Sequence, residues 1–285
     1  MLTPFIHRGA KTIFMQQFDA SEVLNQVEKH KASLIFGVPT TLAMMAKCEE
    51  FSDSDLSSLR YVVVGGEPMP LGLIQQWHEK GVFVRQGFGL TECGPNCFSL
   101  SESDAEEKIG SIGRPNFYVD TMIVDENDQE VNPGEVGELL LKGPMCMTHY
   151  WGKPEATENS FFGKWLRTGD LVRRDKDNYF YVVGRKKEMF ISGGENVYPA
   201  EVEKVLSQID AVDEVAVIGT KDEKWGEVGK AYIVTKPGLT LTSAEVSEFC
   251  STRLAKFKIP KHIILLEELP KGATGKILKQ QLAEL

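Results

Sequence analysis

No stretch of this 285-residue chain approaches the roughly 20 consecutive apolar residues of a membrane-spanning helix, so a helical span is not expected. The first residues, Met1 to Arg8, lack a basic segment followed by an apolar one, and no secretory leader is read there. Cysteine is scarce: Cys48, Cys93, Cys97, Cys146 and Cys250 are odd in number and widely spaced. That pattern excludes a disulfide scaffold and fits reduced thiols in a cytoplasmic setting. Cys93 and Cys97 have no second Cys or His pair at metal-ligand spacing, so no metal centre is expected around them. A Gly-x-Gly-x-x-Gly fingerprint and a His-Glu-x-x-His helix are both missing, and five scattered histidines give no support to a Ser-His-Asp triad. Basic excess is missing too: 32 Lys and Arg stand against 41 Asp and Glu, a formal net charge of -9. Sequence-independent binding to nucleic acid is therefore not expected, although a nucleotide held in a local pocket remains compatible with that charge.

What is present is an ordinary globular composition, 42% hydrophobic and 26% charged, long enough for one large domain or two smaller ones. Residues 11–104 read as alternating strands and helices. A short apolar run, Thr12 to Met15, precedes an amphipathic stretch opened by Asp19, with Glu22 placed to complete a capping box. Strands follow at Leu34–Phe36, Tyr61–Val64 and Val82–Val84. Helices are expected from Pro39 through Met45 and from Leu71 to Lys80. That alternation implies a parallel sheet covered by helices, with ligands beyond the carboxyl ends of the strands, where Gly65-Gly66-Glu67-Pro68 and Gly87-Phe88-Gly89 fall.

From about Ile109 to Val183 helical periodicity vanishes and short alternating runs appear (Thr121–Val124, Glu138–Leu141, Tyr179–Val183), which reads as a small antiparallel sheet or barrel. From about residue 188 a separate small α+β domain begins. A helix opens at Pro199, strands are expected at Val215–Gly219 and Ala231–Val234, a helix spans Ser243 to Lys256, and Ile263–Leu266 is a last strand.

Gly87-Phe88-Gly89-Leu90-Thr91-Glu92 combines flexible backbone, a ring able to stack on a base, a hydroxyl for a phosphate and a hard oxygen ligand for Mg²⁺. In Arg167-Thr168-Gly169-Asp170 a carboxylate able to hold a ribose diol follows a glycine turn. Gly184-Arg185-Lys186-Lys187-Glu188 lies where the texture changes, ahead of Ser192-Gly193-Gly194-Glu195-Asn196. Pro270-Lys271-Gly272-Ala273-Thr274-Gly275-Lys276 is a glycine-rich loop with a lysine at its tip. It fails as a P-loop, because Pro270 stands where the first glycine is needed and Ile277 replaces Ser or Thr.

The order and spacing of these segments, together with Tyr150-Trp151-Gly152-Lys153-Pro154-Glu155-Ala156-Thr157 and Asn196-Val197-Tyr198-Pro199-Ala200-Glu201, closely resemble the adenylate-forming superfamily over essentially the whole chain. That superfamily comprises acyl-CoA synthetases, firefly luciferase and the adenylation domains of peptide synthetases. The Gly-Gly-Glu-Asn-Val-Tyr-Pro-Ala-Glu segment is most similar to fatty-acyl-CoA ligases. The resemblance implies ATP, Mg²⁺ and coenzyme A as cofactors and a carboxylic acid as substrate, activated as an acyl-adenylate and passed to the CoA thiol. Gly66, Glu67, Pro68, Gly87 and Phe88 would enclose the adenine, with Phe88 standing where the family usually has Tyr. Thr91 would contact the α-phosphate and Glu92 would hold the metal. Asp170 would bind the ribose hydroxyls with Arg185 beside them. Lys187 matches the hinge, Gly193 and Gly194 the pantetheine tunnel, and Lys276 the lysine that bridges carboxylate and α-phosphate during adenylation.

The implied fold is α/β. Residues 1–184 form part of a large AMP-binding domain (1–104 α/β, 105–184 β-rich and barrel-like), 185–187 a hinge, and 188–285 a small α+β domain. The family's Ser/Thr/Gly-rich phosphate loop does not occur here, so the chain resembles the C-terminal part of such a ligase. Its leading helices are then expected to expose apolar surface, favouring self-association or pairing with a complementing N-terminal fragment. A non-catalytic adenylate-binding module is the competing reading. For substrate, Phe36–Pro39, Gly65-Gly66 and Gly89–Cys97 would line an acyl pocket suited to a fatty acid, with an aryl acid of the coumarate kind as the alternative.

Overall fold

The structure, a computed structural model, describes residues 2–272 and 276–284 and divides into two compact units. The first comprises residues 1–120, 143–148 and 178–180 and the second 121–142, 149–177 and 181–285. Among the described residues no helix is long and apolar enough to cross a membrane.

In the first unit, helices α1 (Leu2–His7), α2 (Ala20–His30), α3 (Pro39–Ala46) and α4 (Leu71–Glu79) accompany a five-stranded sheet. Strands β1 (Leu34–Gly37), β2 (Tyr61–Val64) and β3 (Phe83–Leu90) run parallel, and β4 (Gly94–Ser99) and β5 (Arg114–Pro115) add antiparallel at the β3 side. The core gathers one face of α2 (Leu24, Val27), the strand valines Val62, Val64 and Val84, and the fully buried Trp77 of α4. The Trp77 indole N–H reaches the Leu42 carbonyl at 3.4 Å, so burial leaves its polar atom paired.

Asp19 caps α2 as expected, accepting the Glu22 amide at 2.8 Å. The reciprocal half of the capping box does not form, because Glu22 turns forward and accepts from Asn25 and Gln26. The apolar run Thr12–Met15 is not a strand. It lies outside any regular element, with Phe14 69% exposed. Ile6, Phe36 and Met44 are also more than half exposed, so the expected apolar surface on this unit is present.

The second unit holds two sheets. Strands β6 (Asp120–Val124), β7 (Val136–Lys142), β9 (Trp165–Arg174) and β10 (Phe180–Arg185) lie in the order β10-β9-β7-β6, and β8 (Phe161–Phe162), which follows helix α5 (Pro154–Asn159), pairs with β9. Of the two readings of this region, sheet or barrel, the structure gives the open sheet: the described strands run from β10 at one edge to β6 at the other without closing. Leu139, Leu140 and Leu141 are all fully buried, as in a strand covered on both faces.

The other sheet has the order β12-β11-β14-β13, from β11 (Phe190–Ser192), β12 (Glu195–Val197), β13 (Val212–Asp222) and β14 (Gly226–Thr235). Strand β15 (His262–Leu265) lies parallel to β14. Helix α6 (Pro199–Leu206) buries Val202 and Leu206, and a short helix α8 (Lys279–Leu282) follows the last loop.

Helix α7 (Ser243–Ser251) stops short of the expected Lys256. The Arg253 and Leu254 amides both turn onto the Cys250 carbonyl, and Ala255 is extended, so the helical ladder cannot continue. Its start is a full capping box: Thr242 accepts the Glu245 amide at 3.3 Å while Glu245 accepts the Thr242 amide at 2.8 Å. Thr242→Ala is accordingly expected to cost about 1 kcal/mol of stability, read as a lower midpoint in urea with an unchanged slope.

Candidate functional site

The residues singled out by the sequence fall into two groups, one in each unit. In the first unit, β2 ends in Gly65 and the turn Gly66-Glu67-Pro68, whose three residues are exposed. Gly66 takes a left-handed φ of +94°, open to glycine without strain. The turn is held by a residue that sequence reasoning missed. Gln86, buried on β3, accepts the Met69 amide at 2.8 Å and donates to the Ser111 carbonyl at 3.4 Å. A signal for it exists in the sequence, since Gln86 follows buried Val82 and Val84 at alternate positions and is the one polar residue of the three.

Phe88 is half-buried and meets Phe98 edge-on at 5.7 Å between centroids, which orients its ring. The expectation that both glycines beside it keep backbone open for a ligand needs refining at Gly89. A Cβ there would sit 2.6 Å from the Asn96 nitrogen and 2.8 Å from the Gly94 carbonyl oxygen, so the close approach is to the chain's own β3–β4 hairpin. Thr91, exposed, and Glu92, half-buried, lie in the one-turn 3₁₀ segment Thr91–Cys93 at the exit of β3. That segment is tied to residues 143–148 by the Met147 amide, which donates to the Glu92 carbonyl at 2.6 Å, and by the Cys93 and Cys146 sulfurs in contact at 2.8 Å. The Cys93 thiol is pushed well up by its hydrogen bond to Cys97 and by burial, whereas the same hydrogen bond holds Cys97 down. Among the described residues no group of three or more His, Cys, Asp or Glu could hold a metal ion. Glu92 suits Mg²⁺ as one carboxylate ligand, the remainder coming from nucleotide phosphates and water.

In the second unit the pairing of β7 with β9 carries the site. Glu138 faces Leu171 and Leu140 faces Arg167, so Thr168-Gly169-Asp170 of β9 stands opposite Leu139 alone. This bulge needs the left-handed φ of +69° at Gly169. Thr168 donates its hydroxyl to the Leu139 carbonyl at 2.7 Å and receives the Asp170 amide at 3.1 Å, which fixes the bulge. Asp170 is thereby buried, with one carboxylate oxygen 3.0 Å from Arg185 Nε. Its other oxygen, Oδ2, is buried without a hydrogen-bond partner among the described residues. Burial pushes the Asp170 carboxyl up to about 6 against the pull of Arg185; Glu188 and Glu138 add to the rise and Lys276 opposes it. A buried carboxylate with an unused oxygen and a cation at its side is poised to accept hydroxyl donors.

The Gly193-Gly194 turn joins β11 to β12 with Ser192 facing Glu195 and both glycines at positive φ. A Cβ on Gly193 would meet the Trp225 ring at 2.5 Å, whereas one on Gly194 would meet nothing within 4 Å. The first glycine therefore serves the fold and the second leaves open surface. Lys187 is exposed, between Lys186 and Glu188 in a one-turn 3₁₀ segment.

Lys276 is exposed, its carbonyl receives the Gly272 amide at 2.8 Å, and Lys271 and Ile277 form an isolated antiparallel bridge. Thr274 and Gly275 of that motif lie outside the described residues. Just beyond it Lys279, missed from sequence, places its ammonium 2.9 Å from Glu188 and 2.8 Å from Glu203.

The family model described as AMP-binding enzyme matches residues 1–151, and the AMP-binding enzyme C-terminal domain matches residues 201–276. The feruloyl-CoA synthase of Amycolatopsis sp is 42% identical over 276 residues, covering 97% of this chain and 56% of that protein. The long-chain-fatty-acid–CoA ligase FadD13 of Mycobacterium tuberculosis is 42% identical over 278 residues, covering 97% of this chain and 55% of that one. Among solved structures, the o-succinylbenzoate CoA synthetase MenE of Bacillus subtilis in complex with its acyl-adenylate intermediate superposes with a TM-score of 0.86 at 38% identity. The match covers 98% of this chain and 56% of that one. The same enzyme has been solved with ATP and a magnesium ion. The chain thus spans about half the length of the curated relatives it matches.

Proposed function

The chain belongs to the AMP-binding enzyme family, and from that premise we propose that it serves an ATP-dependent acid–CoA ligase acting on an apolar carboxylic acid. The reaction has two steps. A carboxylate oxygen attacks the α-phosphorus of ATP to give acyl-AMP and pyrophosphate. The CoA sulfur then attacks the acyl carbon, releasing AMP and yielding the thioester.

The observation that carries the reading is the Asp170–Arg185 pair, with one buried oxygen of Asp170 unpartnered among the described residues: a ribose diol would supply two hydroxyl donors to that carboxylate. Phe88 would stack on the adenine beside the Gly66-Glu67-Pro68 turn and Gly87, and Thr91 would contact the α-phosphate. Mg²⁺ on Glu92 would neutralise phosphate charge. In this reading Lys276 bridges the two anions that must meet, orienting them and stabilising the charge that develops between them. Lys187 is the pivot about which residues 188–285 change position between the two steps, and Gly194 gives the pantetheine arm bare backbone to pass.

An apolar acid is supported by Phe36–Pro39, Gly65-Gly66 and Gly89–Cys97, which contain no cation to pair with a second carboxylate. Relatives named for feruloyl and for long-chain fatty acyl groups support aryl and aliphatic acids alike as candidates.

Calorimetric titration with acyl-sulfamoyl-adenosines, unreactive mimics of the acyl-adenylate, tests the reading. Saturable binding is expected, with the order among short, long and aryl tails naming the acid. Lys276→Ala should weaken binding about tenfold, the worth of one charge-assisted hydrogen bond. A folded chain that takes up none of these compounds would overturn the proposal.

A further inference from the structure

The two segments that carry Asp170 and Arg185 each place a cation next to that pair in sequence, Arg167 before the bulge and Lys186 after β10. Both cations go to the same place. Arg167 Nη1 and Lys186 Nζ each lie 2.8 Å from Oε2 of Glu138, a β7 side chain only 5% exposed. Arg167 reaches onward to Asp128 at 2.5 Å. The next residue on β7, Leu139, supplies the carbonyl that holds the Thr168 hydroxyl of the bulge.

We propose that Glu138 is a positioning residue for the Asp170–Arg185 half-site, taking up the two cations that flank the pair so that the β9 bulge and the end of β10 are locked together and Arg185 is left to Asp170. The proposal deepens the nucleotide reading above and rests on it. Physically, a carboxylate buried in a strand is costly unless paired, and two cations on one oxygen meet that cost. The same arrangement keeps Arg167 and Lys186 from competing with Arg185 for Asp170. The charged groups acting on Asp170 are Arg185, Glu188, Lys276 and Glu138 itself.

The test combines carbon NMR of the Asp170 carboxyl, assigned through Asp170→Asn, with AMP titration of the whole chain. Glu138→Gln removes an anion and releases two cations, so the Asp170 titration midpoint is expected to fall. Lys186→Met removes a cation and leaves the charge of Glu138 less neutralised, so the midpoint is expected to rise. Loosened packing alone would admit water and lower both midpoints, so opposite signs identify the electrostatic role. Two shifts of the same sign, or none, would overturn the proposal. Lys186 is 46% exposed, so its variant is expected to fold even where Glu138→Gln does not, and its sign then decides alone. AMP affinity at pH 8 should fall about tenfold in Glu138→Gln. If the unaltered chain takes up no AMP while the two shifts keep opposite signs, the ribose reading fails and the placement of Glu138 stands.

Discussion

Replacing Asp170 by asparagine is expected to lower affinity for AMP about a hundredfold and, at the same time, to make the chain more stable above pH 6. The loss of affinity follows from the acceptor. Two hydroxyls donating to a carboxylate are worth about 1.5 kcal/mol each at the low end, together a factor near a hundred. The gain in stability follows from burial, which lifts the carboxyl from its ordinary 3.8 to about 6. Because the folded chain then holds its proton more tightly than the unfolded one, stability of the unaltered protein declines as pH rises from about 4 to 6 and stays level above. The full penalty, roughly two units at about 1.4 kcal/mol each, is near 3 kcal/mol. Asparagine does not carry it. Urea unfolding at pH 4 and pH 7.5 should show the variant gaining on the unaltered chain by up to that amount across the interval. A stability difference that ignores pH would mean that Asp170 is not held against its charge. Both expected outcomes together would mean that function and stability pull in opposite directions at one carboxylate, as expected where a site keeps a polar group ready for a ligand.

Replacing Lys279 by methionine is expected to cost about 3 kcal/mol. Its ammonium lies between Glu188 and Glu203, and the Glu203 oxygen it meets also accepts the Val217 amide at 2.7 Å. All three side chains are about one-third exposed or less, so removing the cation leaves two half-buried carboxylates facing each other. Chemical unfolding of Lys279→Met against the triple variant Glu188→Gln, Glu203→Gln, Lys279→Met checks the cause. The triple variant should recover much of the loss, because no uncompensated charge remains in it. Equal instability of both would point to packing of the lysine stem instead. Lys279 opens α8 three residues after Lys276, and Glu188 follows Lys187, so the same contact ties α8 to the segment that carries the expected hinge.

Several elements are legible in the amino-acid order alone. Leu34–Phe36 and Tyr61–Val64, each a short apolar run bounded by turn residues, are adjacent parallel strands in register from Leu34 against Tyr61. Pro199 opens a helix as its fixed φ predicts, and Asp19 caps one. The run Thr12–Met15 misleads because β propensity and hydrophobicity carry no strand without a neighbour to bond. The stretch Ser243–Lys256 reads as too long a helix because its apolar spacing continues past Cys250, whereas the carbonyl that ends the helix is shared by two amides.

The sequence by itself determined the alternation that makes an α/β sheet and the glycines that permit left-handed turns, and it supplied the expectation that Asp170, Arg185 and Lys276 carry chemistry. These are local properties, written in side-chain type and spacing along a few residues. Only the tertiary structure decided that the β-rich segment is an open sheet, that Asp170 sits on a bulge with one oxygen unmet among the described residues, and that Gln86, Glu138 and Lys279 hold the segments around the motifs. The reason is that burial and charge pairing are made by strands and turns far apart in the chain. Glu138 meets Lys186 across 48 positions, and Lys279 meets Glu188 across 91. No window of sequence contains both ends of such a contact, and only folding brings them to one place.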